Sequence, residues 1–195
     1  MSKNNDKAPV FATMGASSHA VNEREKNDFY ATEPKAVELL LEVESFDKNI
    51  WECAAGGHHI SDVLESHGYH VWKTDLVDYG FNDKLMDFLQ TDIVFDGDII
   101  SNPPYKISLQ FVQKALESIK DGHKVAMFLK LLFLEGKARK KFFMENPPKT
   151  VYVSSSRLNC VRNGEFEKYP SSSVCYAWFV WEKGFKGDTI IKWIN

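Results

Sequence analysis

Short apolar runs alternate along the chain with segments in which apolar residues recur every three or four positions. Apolar runs of about four to eight residues are typical of buried parallel strands. The periodic segments predict helices with one core-facing side. The predicted strands cover 49–54, 69–74, 98–101, 124–132 and 150–153, and the predicted helices cover 36–46, 60–67, 109–119 and 136–143. This alternation predicts an α/β fold with a mostly parallel sheet and helices on both faces.

The last two apolar runs, 174–182 and 189–194, flank a short polar segment that contains two glycines. Two strands joined by such a turn commonly pair with each other. We therefore expect the chain to close with a C-terminal antiparallel hairpin.

The two ends of the chain differ in composition. Residues 1–27 are polar and rich in serine, asparagine and charged side chains, which predicts a flexible arm. A less polar stretch within this arm, 11–19, could fold over a bound cofactor. Residues 28–195 contain all the periodic segments and are predicted to form one domain.

Composition narrows the class of protein. The chain has 195 residues, 44% of them hydrophobic, which is enough for one domain with a sizeable core. Cys53, Cys160 and Cys175 are widely spaced, as in a reduced cytoplasmic protein without disulfides. His58 and His59 have no evident third ligand, so we predict no metal. No apolar run approaches the ~20 residues of a membrane span, so no membrane partner is expected.

Charge is distributed unevenly, although the net charge is only −3. Residues 1–100 carry 8 basic and 19 acidic side chains, whereas residues 101–195 carry 16 basic and 8 acidic ones. Such a dipolar molecule has one face suited to a polyanion. The alternative interpretation is that solvated helix faces simply differ in charge.

Asn102, Pro103, Pro104 and Tyr105 directly follow the predicted strand 98–101. Two prolines end the strand in a stiff loop, at the sheet edge where α/β proteins bind ligands. The side-chain carbonyl of Asn102 and the backbone carbonyl of Pro103 can each accept one N–H of a planar amine. That grip favours a tetrahedral nitrogen whose lone pair can attack an electrophile, while Tyr105 can stack on a flat substrate. We interpret these residues as candidate catalytic machinery; a plain proline turn is the alternative.

A strand, a glycine turn, a helix and a second strand that ends in an acid follow one another between residues 49 and 75. Gly56 lets the backbone approach a ligand, and Asp75, 19 residues later, can accept the hydroxyls of a ribose. Glu52 ends the first strand, where it would repel a pyrophosphate but attract a cationic group. The pattern predicts a Rossmann-like site for a cationic nucleoside.

The order of these motifs resembles that of class I methyltransferases that transfer a methyl group from S-adenosylmethionine to amines. The Asn-Pro-Pro-Tyr tetrapeptide resembles their motif IV, and the glycine turn resembles their motif I. The stretch 29–34 resembles motif X of the DNA-modifying members, with Glu33 inserted before Pro34. The resemblance implies a Rossmann-like class I methyltransferase fold with S-adenosylmethionine as cofactor. The cofactor contacts that it implies are Tyr30, Thr32, Glu52, Ala54, Gly56, Asp75, Asp87 and Phe88. By this resemblance Asp87 accepts the exocyclic amine of the adenine ring and Phe88 stacks on the ring; a short amphipathic turn with Phe88 in the core is the alternative.

The overall pattern is similar to small DNA N6-adenine methyltransferases of phage or prophage type. The resemblance implies a cytoplasmic enzyme of a bacterium or phage-infected cell that methylates an adenine flipped out of the base stack. Basic residues at the start of the helix 136–143 and in the polar segment 154–173 are expected to contact DNA phosphates. These candidates are Lys137, Arg139, Lys140, Lys141, Arg157 and Arg162. The joins leave no room for a separate target-recognition domain, so a short or relaxed target site is expected.

Other interpretations of the same motifs stay open. Enzymes that methylate adenine in RNA, or a glutamine amide in a protein, use a similar tetrapeptide, because both substrates are planar. The motif X stretch and the basic segments favour DNA over RNA. A non-catalytic nucleic-acid-binding module that keeps the fold belongs to another class, and the intact tetrapeptide and Asp75 argue against it. The oligomeric state is open, with a monomer plausible.

Overall fold

The computed structural model describes residues 30–81, 83–162, 164, 166–167 and 173–195. Its strands are β1 (Tyr30–Thr32), β2 (Asn49–Glu52), β3 (His70–Asp75), β4 (Lys84–Leu85), β5 (Asp98–Ser101), β6 (Lys124–Lys130), β7 (Thr150–Ser154), β8 (Cys160–Arg162), β9 (Tyr176–Glu182) and β10 (Ile190–Ile194). Its α-helices are α1 (Pro34–Val43), α2 (Ser61–Ser66), α3 (Ser108–Glu117) and α4 (Lys137–Glu145). The predicted arm, residues 1–27, lies outside the described residues.

Eight strands form one sheet in the order β10-β7-β9-β6-β5-β2-β3-β4. All neighbouring pairs in this sheet are parallel except the two that involve β9, which is antiparallel to both β6 and β7. The prediction of an α/β fold with a mostly parallel sheet is confirmed.

Each face of the sheet has its own hydrophobic core, because successive side chains of a strand point to opposite faces. Ile50 and Ile100 pack on one face with residues of α1 and α2. Trp51 and Ile99, their neighbours in sequence, pack on the other face with residues of α3 and α4. Helices therefore cover both faces, as predicted. None of the described helices combines the length and apolar character needed to cross a membrane.

The predicted C-terminal hairpin is wrong, because β9 and β10 do not pair with each other. β7 lies between them: Val151 pairs with Phe179 of β9 on one side and with Ile191 of β10 on the other. β9 is buried from Tyr176 to Trp181, with side chains in the cores on both faces of the sheet, so it occupies an interior position between β6 and β7. β10 is exposed at four of its five positions, which suits only an edge of the sheet.

A separate two-stranded ribbon forms where β1 pairs antiparallel with β8, with Ala31 opposite Val161. Glu33, just after β1, strengthens the junction from both backbone and side chain. Its N–H donates to the Asn159 carbonyl at 3.0 Å, and its carboxylate accepts the Asn159 N–H at 2.9 Å. The ribbon brings the start of the described chain to the carboxyl edge of the sheet.

Candidate active site

A cleft of about 330 Å³ lies at the carboxyl ends of β2, β3 and β5. Its walls also include β1, one strand of the β1–β8 ribbon, and the segment that follows β4. The cleft gathers nine of the residues singled out from the sequence: Tyr30, Thr32, Glu52, Ala54, Asp75, Asp87, Phe88, Asn102 and Pro104. Gly56 adjoins it through a hydrogen bond to Asp75. Stretches that are far apart in sequence therefore form one site.

The order of the strands fixes the order of the polar groups along this edge. β5, β2, β3 and β4 are successive neighbours in the sheet. Asn102 follows β5, Glu52 ends β2, Asp75 ends β3, and Asp87 follows β4. Along this edge of the sheet, the amide of Asn102 is therefore followed by the carboxylates of Glu52, Asp75 and Asp87, in that order.

Asp75 is held by the turn that the sequence predicted. Its two carboxylate oxygens accept the Gly56 N–H at 2.9 Å and the Val77 N–H at 3.0 Å. Gly56 has a φ of 51°, a left-handed conformation that glycine adopts without strain. Burial raises the pKa of Asp75, against these hydrogen bonds, and nearby Asp83 adds to the rise. The carboxylate is therefore fixed in place but poorly solvated.

Glu52 is the most buried acid in the cleft, with 2% of its surface exposed. The Ser61 hydroxyl at the start of α2 donates to its carboxylate. Burial raises the pKa of Glu52 well above its ordinary value, and repulsion from Asp75 and Asp83 acts in the same direction. A cation bound beside Glu52 would relieve both effects.

Hydrogen bonds from its amide nitrogen fix the orientation of the Asn102 side chain. Its Nδ2 donates to the Tyr30 backbone carbonyl at 2.8 Å and to Cys160 Sγ at 3.6 Å. Its Oδ1 is buried and accepts no hydrogen bond from the described part of the chain. A buried acceptor without a donor costs free energy, and a ligand N–H would satisfy it. The ribbon residues thus fix which end of the amide is available.

Tyr105 lies beside the cleft and packs within an aromatic group. Its hydroxyl donates to Cys160 Sγ at 3.0 Å. Its ring lies 6.3 Å from that of Tyr30 and 5.7 Å from that of Tyr176, and Lys130 Nζ lies 4.7 Å from the ring centre. Burial raises the pKa of the phenol well above its usual range, so it stays a neutral donor. Burial likewise raises the pKa of the Cys160 thiol to about 12.

The two residues expected at the adenine ring occupy different environments. Asp87 is exposed and caps a short 3-10 helix, Phe88–Gln90, by accepting the Leu89 N–H at 3.0 Å. Phe88 is only 2% exposed and packs edge-on against Trp51, with 5.0 Å between ring centres. Phe88 therefore forms part of the floor of the cleft and of the core beneath it.

None of the basic candidates whose side chains the structure describes lines the cleft. Arg139 is engaged with its own loop: it donates to the backbone carbonyls of Phe133, at 2.8 Å, and of Glu135. Lys137, Lys140 and Lys141 are exposed on α4, and Lys141 lies 3.8 Å from the Glu145 carboxylate. Arg157 donates to Cys175 Sγ. The Arg162 side chain, and Lys168 and Tyr169 of the predicted DNA-contacting segment, lie outside the described part of the structure.

Sequence reasoning did not assign His59, Lys106 or Cys160 to the site. His59 and Lys106 line the cleft, and Cys160 holds Asn102 and Tyr105 from behind. His59 adjoins the glycine turn and Lys106 follows the tetrapeptide, so their neighbours in sequence could have indicated both. Nothing near Cys160 in the sequence indicates its position, which depends on the pairing of β8 with a strand about 130 residues earlier.

Comparisons with known proteins agree on the fold. A protein named as a class I S-adenosylmethionine-dependent methyltransferase from Listeria monocytogenes matches with a TM-score of 0.57 and 15% identity over 80% of this chain. The M protein of the type I restriction enzyme EcoKI matches with a TM-score of 0.57 and 15% identity over 84% of this chain. TrmN from Thermus thermophilus matches with a TM-score of 0.52 and 17% identity over 77% of this chain. No family model and no curated protein matches the sequence.

These similarities define a fold class. The chain has the Rossmann-like fold of class I S-adenosylmethionine-dependent methyltransferases. S-adenosylmethionine is accordingly the cofactor to be expected. The match spans 62% of the Listeria protein, 46% of the EcoKI M protein and 48% of TrmN. Identities this low establish the architecture and leave the substrate to be argued from the site.

Proposed function

We propose that this protein is an S-adenosylmethionine-dependent methyltransferase that modifies the exocyclic N6 amine of adenine in DNA. The observation that carries the proposal is the order of polar groups along the sheet edge, from Asn102 through Glu52 and Asp75 to Asp87. Read from Asp87, this order matches a molecule with an adenine, then a ribose, then a cationic sulfonium, followed by the amine that is to be methylated.

The residues present fit the cofactor. Asp75 would accept the ribose hydroxyls, and Asp87 would accept the adenine amine. Glu52 would face the positive charge, because its burial beside two other acids makes a cation favourable there. When bound, S-adenosylmethionine would supply an electrophilic methyl group.

The tetrapeptide would handle the substrate amine. Asn102 Oδ1 would accept one N–H, since its Nδ2 is already held by the Tyr30 carbonyl and the amide cannot turn without losing that bond. The Pro103 carbonyl would accept the second N–H. Together they would draw the nitrogen out of conjugation and point its lone pair into the cleft. Tyr105 would stack on the flipped base.

Charge favours a nucleic acid over a glutamine side chain. Lys106 lines the cleft, and Lys130 lies against the Tyr105 ring. The exposed lysines of α4 add to the positive second half of the chain. Cations around an amine-binding loop suit a substrate whose backbone carries phosphates. RNA adenine is the second candidate, since the same charges would serve it.

Label transfer from methyl-labelled S-adenosylmethionine to separate DNA, RNA and protein pools tests the proposal. We expect label in the DNA pool, recovered as N6-methyladenine after digestion to nucleosides. Label in RNA alone, or in protein as methylglutamine, would contradict the DNA assignment while keeping the enzyme class. Binding of S-adenosylmethionine without transfer to any pool would contradict catalysis and favour a non-catalytic module.

A further inference from the structure

The acids of the cleft match only part of the charge at the amino-acid end of S-adenosylmethionine. That end carries an ammonium group and a carboxylate, next to the cationic sulfonium. Glu52 and Asp75 suit the positive groups but repel the carboxylate. A hydrogen-bond donor is therefore required on the β2 side of the cleft, away from Asp87.

His59 is placed where such a donor is needed. It follows the glycine turn after β2 and lines the cleft with Glu52. Its neighbour His58 has a φ of 63° and directs its own ring elsewhere, with Nε2 at 2.6 Å from Asp83 Oδ2. The two adjacent histidines therefore have separate surroundings.

The His59 ring is fixed on one side and lacks a partner on the other. A Cβ added to Gly164 would lie 2.6 Å from its Nε2, so the glycine backbone closes against that nitrogen. The Phe166 ring meets it edge-on, with 5.8 Å between ring centres. Its Nδ1 is buried and hydrogen-bonds to none of the described residues. A polar atom buried in the wall of a ligand cleft without a partner indicates a contact that the ligand completes.

We propose that His59 Nδ1–H donates a hydrogen bond to the carboxylate of S-adenosylmethionine. The inference rests on the proposed function and adds a cofactor-binding residue to the same cleft. Glu52 and His59 then divide the zwitterion between them, the acid facing the ammonium and the imidazole facing the carboxylate. Burial lowers the pKa of His59, and a neutral imidazole still carries the single N–H that the contact requires.

Titration calorimetry of the full chain with two ligands tests this role. The ligands are S-adenosylmethionine and its decarboxylated form, which keeps the ammonium and sulfonium but has no carboxylate. His59→Ala should weaken binding of S-adenosylmethionine about tenfold or more, as expected for loss of a hydrogen bond to a charged group. Its affinity for the decarboxylated ligand should equal that of the parent.

Two further variants keep the test sharp. His59→Asn places an amide N–H close to the position of Nδ1 and should restore most of the affinity for S-adenosylmethionine. His67→Ala removes an exposed histidine just after α2 and should change neither affinity. Equal weakening of both ligands by His59→Ala, or no weakening of either, would overturn the inference. Failure of the parent to bind S-adenosylmethionine would instead overturn the proposed function, and this contact with it.

Discussion

Glu52 places a carboxylate where water hardly reaches it, close to Asp75 and Asp83. Its pKa is raised well above the ordinary value of 4.5, first by burial and then by these neighbours. The folded state therefore holds a proton that the unfolded chain releases. The contribution of Glu52 to the free energy of unfolding is therefore most favourable below the ordinary pKa and falls as pH rises through the interval between the ordinary and the raised pKa. Ionised Glu52 is then a cost to the fold that a bound cation offsets.

Glu52→Gln should therefore stabilise the ligand-free protein while weakening cofactor binding. Well below pH 4.5 the parent and the variant should have similar melting temperatures, since Glu52 is then neutral in both the folded and the unfolded state. At neutral pH the variant should melt higher, and added S-adenosylmethionine should raise its melting temperature less than it raises that of the parent. Thermal unfolding with and without ligand measures both effects. A variant that melts below the parent at neutral pH would show that the carboxylate stabilises the fold.

Asp75→Ala should weaken S-adenosylmethionine binding by about 1.5–3 kcal/mol, the contribution typical of hydrogen bonds to a charged group. Calorimetry measures the loss directly. Asp78→Ala is the matched control, because Asp78 is exposed and bonds only to the Gly80 N–H, at 2.7 Å, among the contacts of the described chain. Unchanged affinity in the Asp75 variant would remove this residue from the cofactor site.

Residues at strand ends are the predictable part of the site. Asn102, Glu52 and Asp75 each follow an apolar run, and parallel strands bring such positions to one edge. From the sequence, His59 is considered only as a possible metal ligand, and no metal is predicted. His59 could not be assigned to the cofactor, because the sequence does not show which way a ring points after a left-handed residue such as His58. Phe88 is expected to stack on adenine, and that role stays a prediction for a side chain now found in the core.

At the scale of elements, the β1–β8 ribbon supports the tetrapeptide. Tyr30 supplies the carbonyl that fixes Asn102, and Cys160 accepts hydrogen bonds from Asn102 and Tyr105. Two strands of three residues each carry too short a pattern to be recognised from sequence. Their pairing depends on contacts between distant parts of the chain, which local periodicity does not encode.

Substitutions at Tyr105 and Cys160 separate stacking from hydrogen bonding. Tyr105→Ala should slow methyl transfer strongly, whereas Tyr105→Phe should retain most of the rate, because stacking needs the ring. Cys160→Ala should cause a small loss, and its combination with Tyr105→Phe should be no worse than the larger single loss, since both remove the same hydrogen bond. Transfer rates measured for the four variants test this. A phenylalanine variant as slow as the alanine variant would show that the hydroxyl matters more than the ring.

The basic side chains of α4 are of two kinds, which the sequence does not distinguish: exposed lysines, and an arginine that bonds to its own loop. Replacing Lys137, Lys140 and Lys141 with Gln should flatten the dependence of DNA affinity on salt, by about 0.9 in slope for each phosphate that is no longer neutralised. Binding isotherms at several salt concentrations measure this slope. Arg139→Gln should instead lower the melting temperature, because Arg139 bonds the carbonyls of its own loop. Lys35→Gln on α1 is the control, and an unaltered slope in the triple variant would mean that the helix face is only solvated.

The terminal strands show how a correct pattern can mislead about pairing. The runs 174–182 and 189–194 do form strands, as expected, and a glycine-containing turn joins β9 to β10. The hairpin prediction fails because β9 is apolar from Tyr176 to Trp181 and lies between β6 and β7 in the interior of the sheet. A strand with two apolar faces needs both faces covered, which favours the interior of the sheet, and a local turn signal does not contain this constraint.

At the scale of the whole molecule, the order of strands in the sheet places polar groups from distant parts of the chain along one edge. Alternating strands and helices are enough to predict the architecture, since such a pattern has few compact solutions. The same order sets adenine, ribose, sulfonium and substrate amine beside successive strands in the proposed function. In the proposed function the acidic groups at the ends of β2 and β3 face the cofactor, and the more basic second half of the chain carries the lysines that would face the substrate.

The methyl-transfer rate of Asn102→Ala is the sharpest test of the proposed chemistry. The variant keeps both prolines and the end of β5 but removes the Asn102 Oδ1, which accepts no hydrogen bond from the described residues. The measurement is single-turnover transfer from labelled S-adenosylmethionine to amplified DNA that lacks N6-methyladenine, with Asn102→Asp as a variant that keeps an acceptor and some activity. We predict a fall of about 10²-fold or more for Asn102→Ala, with melting temperature and cofactor affinity nearly unchanged. Transfer by Asn102→Ala at the parental rate would contradict the proposed role of the tetrapeptide.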